Sequence, residues 1–133
     1  KAFKINVNNW LHSVSDILKE AAEIKPRIES NTIRIVGSRS HMNQETLDFV
    51  EKIKLENLKE IEMVSIGSSL KFCLVAEGSA DFYPRFAPTM EWDTAAGQAI
   101  CKAAGLKILD THTNLEMSYN KENLLNSYFL VTK

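Results

Sequence analysis

Residues 92–105 read Trp-Asp-Thr-Ala-Ala-Gly-Gln-Ala-Ile-Cys-Lys-Ala-Ala-Gly and place one acid, Asp93, at the start of a helix lined with small side chains. A carboxylate in a helix's first turn can accept backbone N–H groups that have no helical partner. It can also turn outward as a hard oxygen ligand for a metal ion. As an isolated feature the cap is the commoner use. Ala95, Ala96, Gly97, Ala99, Ala103 and Ala104 predict that this helix packs close to its neighbours.

Other residues with chemistry to offer stand at other element ends. Gly67-Ser68-Ser69-Leu70-Lys71 reads as a turn from strand into helix, where free N–H groups and the helix dipole favour an anion. Ser68 can add a hydroxyl donor and Lys71 a full charge. The plain alternative is a serine cap beside a surface lysine. Gly37-Ser38-Arg39-Ser40-His41 follows a strand, and α/β sheets bind ligands beyond the carboxyl ends of their strands. His41 could hydrogen-bond a nucleotide or a phosphate, or be an ordinary surface histidine. Arg85, in Tyr83-Pro84-Arg85, carries a planar fork suited to phosphate. Its alternative is a structural salt bridge. Together His41, Ser68, Lys71, Arg85 and Asp93 each end an element, and three of them suit an anion. No run of acids at metal spacing occurs, nor a Walker loop, a Gly-x-Ser-x-Gly elbow or a His-Glu-x-x-His pair. Glu60 and Glu62 read as a solvated pair, and His12 and His112 as isolated.

The elements that must position these residues follow from periodicity. Lys4–Val7 alternates as a short strand, and Trp10 to Ala21 repeats at helical spacing until Pro26. Thr32–Val36 is a β-branched strand ended by Gly37. Residues 42–59 form a charged surface helix with Leu47, Val50, Ile53 and Leu58 on its inner period. Met63–Ile66 is a strand. Leu70–Ala76 is a helix, apolar nearly all round and so expected to be buried, with Gly78 closing it. Ala80–Phe86 is a strand that Pro84 makes irregular or places near an edge. The helix carrying Asp93 ends at Gly105, and strands follow at Leu106–Leu109 and Tyr128–Thr132. Alternating strands and helices predict an α/β domain, layered αβα, with a mixed sheet of about five strands.

The chain has 133 residues, enough for one real core, with 44% hydrophobic and 25% charged residues. A formal net charge of −1 gives no footprint for a nucleic-acid polymer or a membrane surface. No apolar run is long enough for a transmembrane segment, and no stretch reads as a signal peptide. Cys73 and Cys101 sit far apart inside apolar helical patterns and read as buried free thiols of a reducing compartment.

Trp92-Asp93-Thr94-Ala95-Ala96-Gly97, with Ala104-Gly105 closing the helix, resembles the C-terminal signature of the inositol monophosphatase superfamily. The Ser38–His41 segment, the run from Gly67 to Gly78, Tyr83-Pro84-Arg85-Phe86 and the tail Tyr119-Asn120-Lys121-Glu122-Asn123-Leu124-Leu125-Asn126 resemble one branch of it, the CysQ-like 3′(2′),5′-bisphosphate nucleotidases. The resemblance runs from about Arg34 to the C-terminus. Residues 1–30 look like a variable connecting segment, and 31–133 like the C-terminal domain of such a phosphatase. The resemblance implies the C-terminal half of the inositol monophosphatase-like fold and a Mg²⁺-dependent phosphatase. Its implied reaction removes the 3′-phosphate of 3′-phosphoadenosine 5′-phosphate, or of its phosphosulfate, in sulfur assimilation. Asp93 is implied as the catalytic metal ligand, and His41, Ser68, Lys71 and Arg85 as the lining of the nucleotide site. A second cation at Lys71 suits a substrate with two phosphates.

The family's Glu ligand and Asp-Pro-x-Asp-Gly-Thr segment are absent from this chain. The resemblance therefore implies that an N-terminal half, or a partner chain, completes the enzyme, and that this chain alone is inactive. An apolar face is expected where that half belongs, with homo-oligomerisation as its other possible use. The implied location is the cytoplasm, or a peripheral position at the inner membrane. Two alternatives stay open: an inositol or sugar phosphate phosphatase of the same fold, and a non-catalytic nucleotide-binding fragment.

Overall fold

A computed structural model describes residues 1–7, 13–28, 30–37 and 42–133. The site is carried by a sheet built in two parts. Strand β3 (Thr32–Gly37) and strand β4 (Glu60–Ser65) run parallel, joined by helix α2 (Gln44–Glu56) as the crossover that parallel strands require. Strands β5 (Tyr83–Arg85), β6 (Lys107–Asp110) and β7 (Phe129–Thr132) are antiparallel in the order β5-β7-β6. The parts meet where Phe82 bridges Ile35 in parallel, giving a mixed five-stranded order β4-β3-β5-β7-β6. Val36 N donates to Phe82 O at 2.8 Å, and Asp81 N and Phe82 N donate to Arg34 O at 2.8 and 3.2 Å.

The predicted αβα layering follows from strand alternation. Ile33 and Ile35 of β3 pack with Ile53, Phe49 and Val50 of α2 on one face. On the other, Val36, Ile108, Phe129 and Val131 pack with Phe72 and Val75 of α3 (Leu70–Ala76) and Cys101 of α4 (Glu91–Ala103). Phe72 stacks on Phe129 at 5.7 Å and meets Tyr83 edge-on at 5.1 Å. Gly97 lets α4 lie close against α3: a Cβ there would lie 2.4 Å from the Phe72 ring. Gly78 ends α3 with a left-handed φ of 77° and is pressed against the backbone of Arg27.

Several expectations are corrected. Helix α3 has two sides, not one. Lys71, Phe72, Val75 and Ala76 are buried, but Leu70 is exposed and Cys73 and Leu74 are half-buried. The alanines of α4 do not all serve close packing either. Gly97 does, while Ala95, Ala96, Ala99 and Ala103 are exposed on the other side of the helix. Of the two expectations for Pro84 the irregular strand is the one found, with β5 shortened to Tyr83–Arg85, and Pro84 is not near an edge because β5 lies between β3 and β7. It is tolerated because the ladder to β3 stops at Phe82, so no N–H is needed at Pro84. In α2 the buried residues are Thr46 and Ile53, Leu47 is exposed, and Leu58 lies beyond the helix.

Ahead of β3, strand β1 is Ala2–Lys4 rather than Lys4–Val7, and it pairs antiparallel with β2 (Ala22–Ile24). Between them α1 (Val14–Glu20) starts at a capping box in which Ser13 and Asp16 exchange bonds, and it has no buried residue. Among the described residues no helix is long and apolar enough to cross a membrane.

Candidate functional site

A cleft of about 490 Å³ opens where the α3 and α4 N-termini meet the end of β5. Ser68, Lys71, Arg85 and Asp93 all line it, with Tyr83, Trp92 and Thr94. Four of the five expected residues are thus brought together from three separate elements. The fifth, His41, lies outside the described residues, as does the rest of Ser38–His41.

Lys71 is not a surface lysine. It is 4% exposed, and its Nζ donates to the Ser68 carbonyl at 2.9 Å and sits 5.4 Å from the centre of the Tyr83 ring. Burial, and then the nearby charge of Arg85, lower the Lys71 pKa below its ordinary value. Among the described residues no carboxylate pairs with Lys71 or Arg85 in an ion pair, so the salt-bridge alternative for Arg85 is not what this structure holds. Arg85 reaches Pro88 O with Nη2 at 3.4 Å, and its Nε is buried with no partner among the described residues. Two cations that repel one another and lack an acid form a wall with unspent capacity for an anion.

Ser68 turns the chain into α3 with a left-handed φ of 59°, which is uncommon for a residue with a Cβ. Its carbonyl receives Lys71. The adjoining Ser69 occupies the cap position but makes no side-chain cap bond, so the serine-cap alternative does not hold.

Asp93 performs the cap that its position suggests. It is the third residue of α4, and its Oδ2 accepts Met90 N at 2.8 Å. It is also exposed at the cleft, so capping and facing a ligand are compatible. Its carboxylate suits an oxygen-seeking cation as one ligand. Among the described residues, no three of His, Cys, Asp and Glu are grouped to hold a metal, so they do not fit a complete Mg²⁺ centre.

Two further residues at the site escape a reading from spacing. Thr94 is 1% exposed in the cleft wall, and Glu91 is 9% exposed at the start of α4. Nothing in the local pattern marks a glutamate beside an exposed Trp as buried. Its partners are 29 and 30 residues away in sequence.

The chain is similar to known proteins in sequence and in fold. The chain is 44% identical over 117 residues to the 3′(2′),5′-bisphosphate nucleotidase CysQ of Salmonella typhimurium, covering 86% of this chain and 46% of that protein. It is 43% identical over 131 residues to CysQ of Escherichia coli K12, covering 95% and 51%. The crystal structure of CysQ from Bacteroides thetaiotaomicron superposes with a TM-score of 0.81 at 40% identity, over 96% of this chain and 46% of that one. The chain thus spans about half the length of the curated relatives it matches. Residues 15–131 match the inositol monophosphatase family, a stretch that begins ahead of the motif-bearing part. With fold, motifs and relatives in agreement, the chain belongs to the inositol monophosphatase family.

Proposed function

We propose that this chain forms the nucleotide-holding part of a 3′(2′),5′-bisphosphate nucleotidase. The reaction is removal of the 3′-phosphate from 3′-phosphoadenosine 5′-phosphate, or from its phosphosulfate, in cytoplasmic sulfur assimilation. The observation that carries this reading is the buried Lys71 beside Arg85, two cations on one wall of the cleft with no acid paired to them among the described residues. A substrate with two phosphates needs a counter-charge for the group that does not react as well as for the one that does. Lys71 and Arg85 supply it, and Ser68 adds a polar contact at the same wall. His41 belongs to the proposed nucleotide site by the motif it carries.

Asp93, on the facing helix, is proposed as one oxygen ligand of the metal. Mg²⁺ prefers six oxygens in near-ideal octahedral array. Further acids must therefore come from another half of the enzyme, and the 133-residue chain alone is expected to turn over little or no substrate. That half is proposed to cover the apolar side of α3 and α4. There Leu70, Leu74, Ala99 and Ile100 line a second cavity of about 590 Å³.

The test is a comparison of substrates with the complete enzyme that carries this chain. Lys71→Ala and Arg85→Ala should each raise KM for 3′-phosphoadenosine 5′-phosphate by roughly 30-fold or more, as loss of a desolvated charge contact does. Hydrolysis of an inositol or sugar monophosphate should change far less. If the wild type prefers the monophosphate, the inositol or sugar phosphatase reading replaces this one.

A further inference from the structure

The tail Met117–Asn126 carries one of the chain's most distinctive sequences, yet none of its residues lines the cleft. It lies instead across the first turn of α4. The buried Glu91 carboxylate accepts Asn120 N at 2.7 Å, Lys121 N at 3.2 Å and Lys121 Nζ at 2.5 Å. Asn120 holds a left-handed φ of 62°, which turns two successive N–H groups onto one carboxylate. Thr94 Oγ1 accepts Tyr119 Oη at 2.9 Å and Asn126 Nδ2 at 3.0 Å, and donates to Glu91 O at 3.2 Å. Those three bonds use the whole capacity of a hydroxyl. Asn126, 4% exposed, also ties Thr89 through its backbone N at 2.9 Å and its Nδ2 at 3.2 Å. Glu91 N donates to Leu124 O at 3.0 Å.

Asp93 sits between the two anchors. Trp92 and Asp93 are exposed, while Glu91 and Thr94 on either side are buried and bound to the tail. The only hydrogen bond of the Asp93 carboxylate among the described residues is from Met90 N, in the same turn. Its place in the cleft is therefore set by the backbone of that turn and not by neighbouring side chains.

We infer that the tail is a strap, and that Glu91 and Thr94 are positioning residues which hold the first turn of α4 so that Asp93 stays at the cleft wall. The contribution to catalysis rests on the nucleotidase reading; the strap itself does not.

The test uses Glu91→Gln, which keeps the size and loses the charge, and Thr94→Val, with Thr94→Ser as the conservative control. Amide hydrogen exchange of the full chain reads the strap directly. In Glu91→Gln and Thr94→Val, amides of residues 91–94, 120 and 121 should exchange at least about tenfold faster, with β6 and β7 unchanged. Thr94→Ser should match wild type. In the complete enzyme, kcat for 3′-phosphoadenosine 5′-phosphate should fall by about tenfold or more while KM stays within about twofold, as a misplaced group costs rate before binding. Unchanged exchange at 91–94, or full kcat in a variant whose first turn has loosened, overturns the inference. A wild-type enzyme inert toward this substrate overturns the nucleotidase reading instead, and the exchange result then decides the strap alone.

Discussion

Lys71 and Cys101 are both buried polar side chains, and they differ in what relieves them. Lys71 Nζ lies in a cleft, where among the described residues it has the Ser68 carbonyl and the Tyr83 ring face as its partners and burial holds its pKa below the ordinary lysine value. An arriving phosphate would repay its desolvation. Cys101 solves the problem by staying neutral: burial and the neighbouring Cys73 push its thiol up to about 12, and its Sγ contacts Phe72 O at 3.5 Å. Only thiolates alkylate readily. Iodoacetamide at pH 8 should therefore label the half-buried Cys73 first and Cys101 only on unfolding, as peptide mass spectrometry would show. Equal labelling of both in the native chain would contradict this packing. At this scale the sequence was informative about location. Ser68, Lys71, Arg85 and Asp93 stand at element ends, and the cleft gathers all four. What it hid was state: that Lys71 is buried depends on Tyr83 and on the α3–β5 contact, neither encoded near Lys71.

Helices α3 and α4 carry most of the site, and their contact hinges on one hydrogen atom. Gly97 lets the Phe72 ring lie where a methyl group would stand. Gly97→Ala should cost about 1–3 kcal/mol, as overpacking of a close-packed core does, and appear as a lower urea midpoint with an unchanged slope. A neutral result would mean that Phe72 has room to rotate away from the Tyr83 and Phe129 rings. The bounds of α3 were legible to the residue because a Gly-Ser-Ser turn precedes it and Gly78 follows. Its burial was not, because an apolar composition does not say how many sides a helix has to cover. β1 was displaced because its register comes from pairing with β2, some 20 residues away.

As a whole, the molecule shows one finished side and one open side. The face of α3 and α4 that meets the sheet is packed with aromatic rings, whereas the other exposes Leu70 and four alanines. A chain spanning about half of its relatives' length is expected to show such a surface where the other half packs. Sedimentation velocity of the isolated chain should show concentration-dependent association that Leu70→Glu reduces, and a strictly monomeric wild type would count against that use of the face. The αβα layering was readable from alternating strands and helices. The division of the sheet was not, since the two parts join through one isolated bridge, Ile35 to Phe82, between residues 47 apart in the chain and not through a full ladder.

That division has a mechanical consequence. Within each part, strands are held by ladders of three to six paired residues, but among the described residues the boundary between parts has three backbone bonds around Arg34, Val36 and Phe82, with the Asp81 carboxylate accepting Arg34 N in place of further strand. A sheet under load opens along its least-stitched line. The boundary is therefore a seam within the sheet, with the βαβ unit on one side and Arg85 and Asp93 on the other.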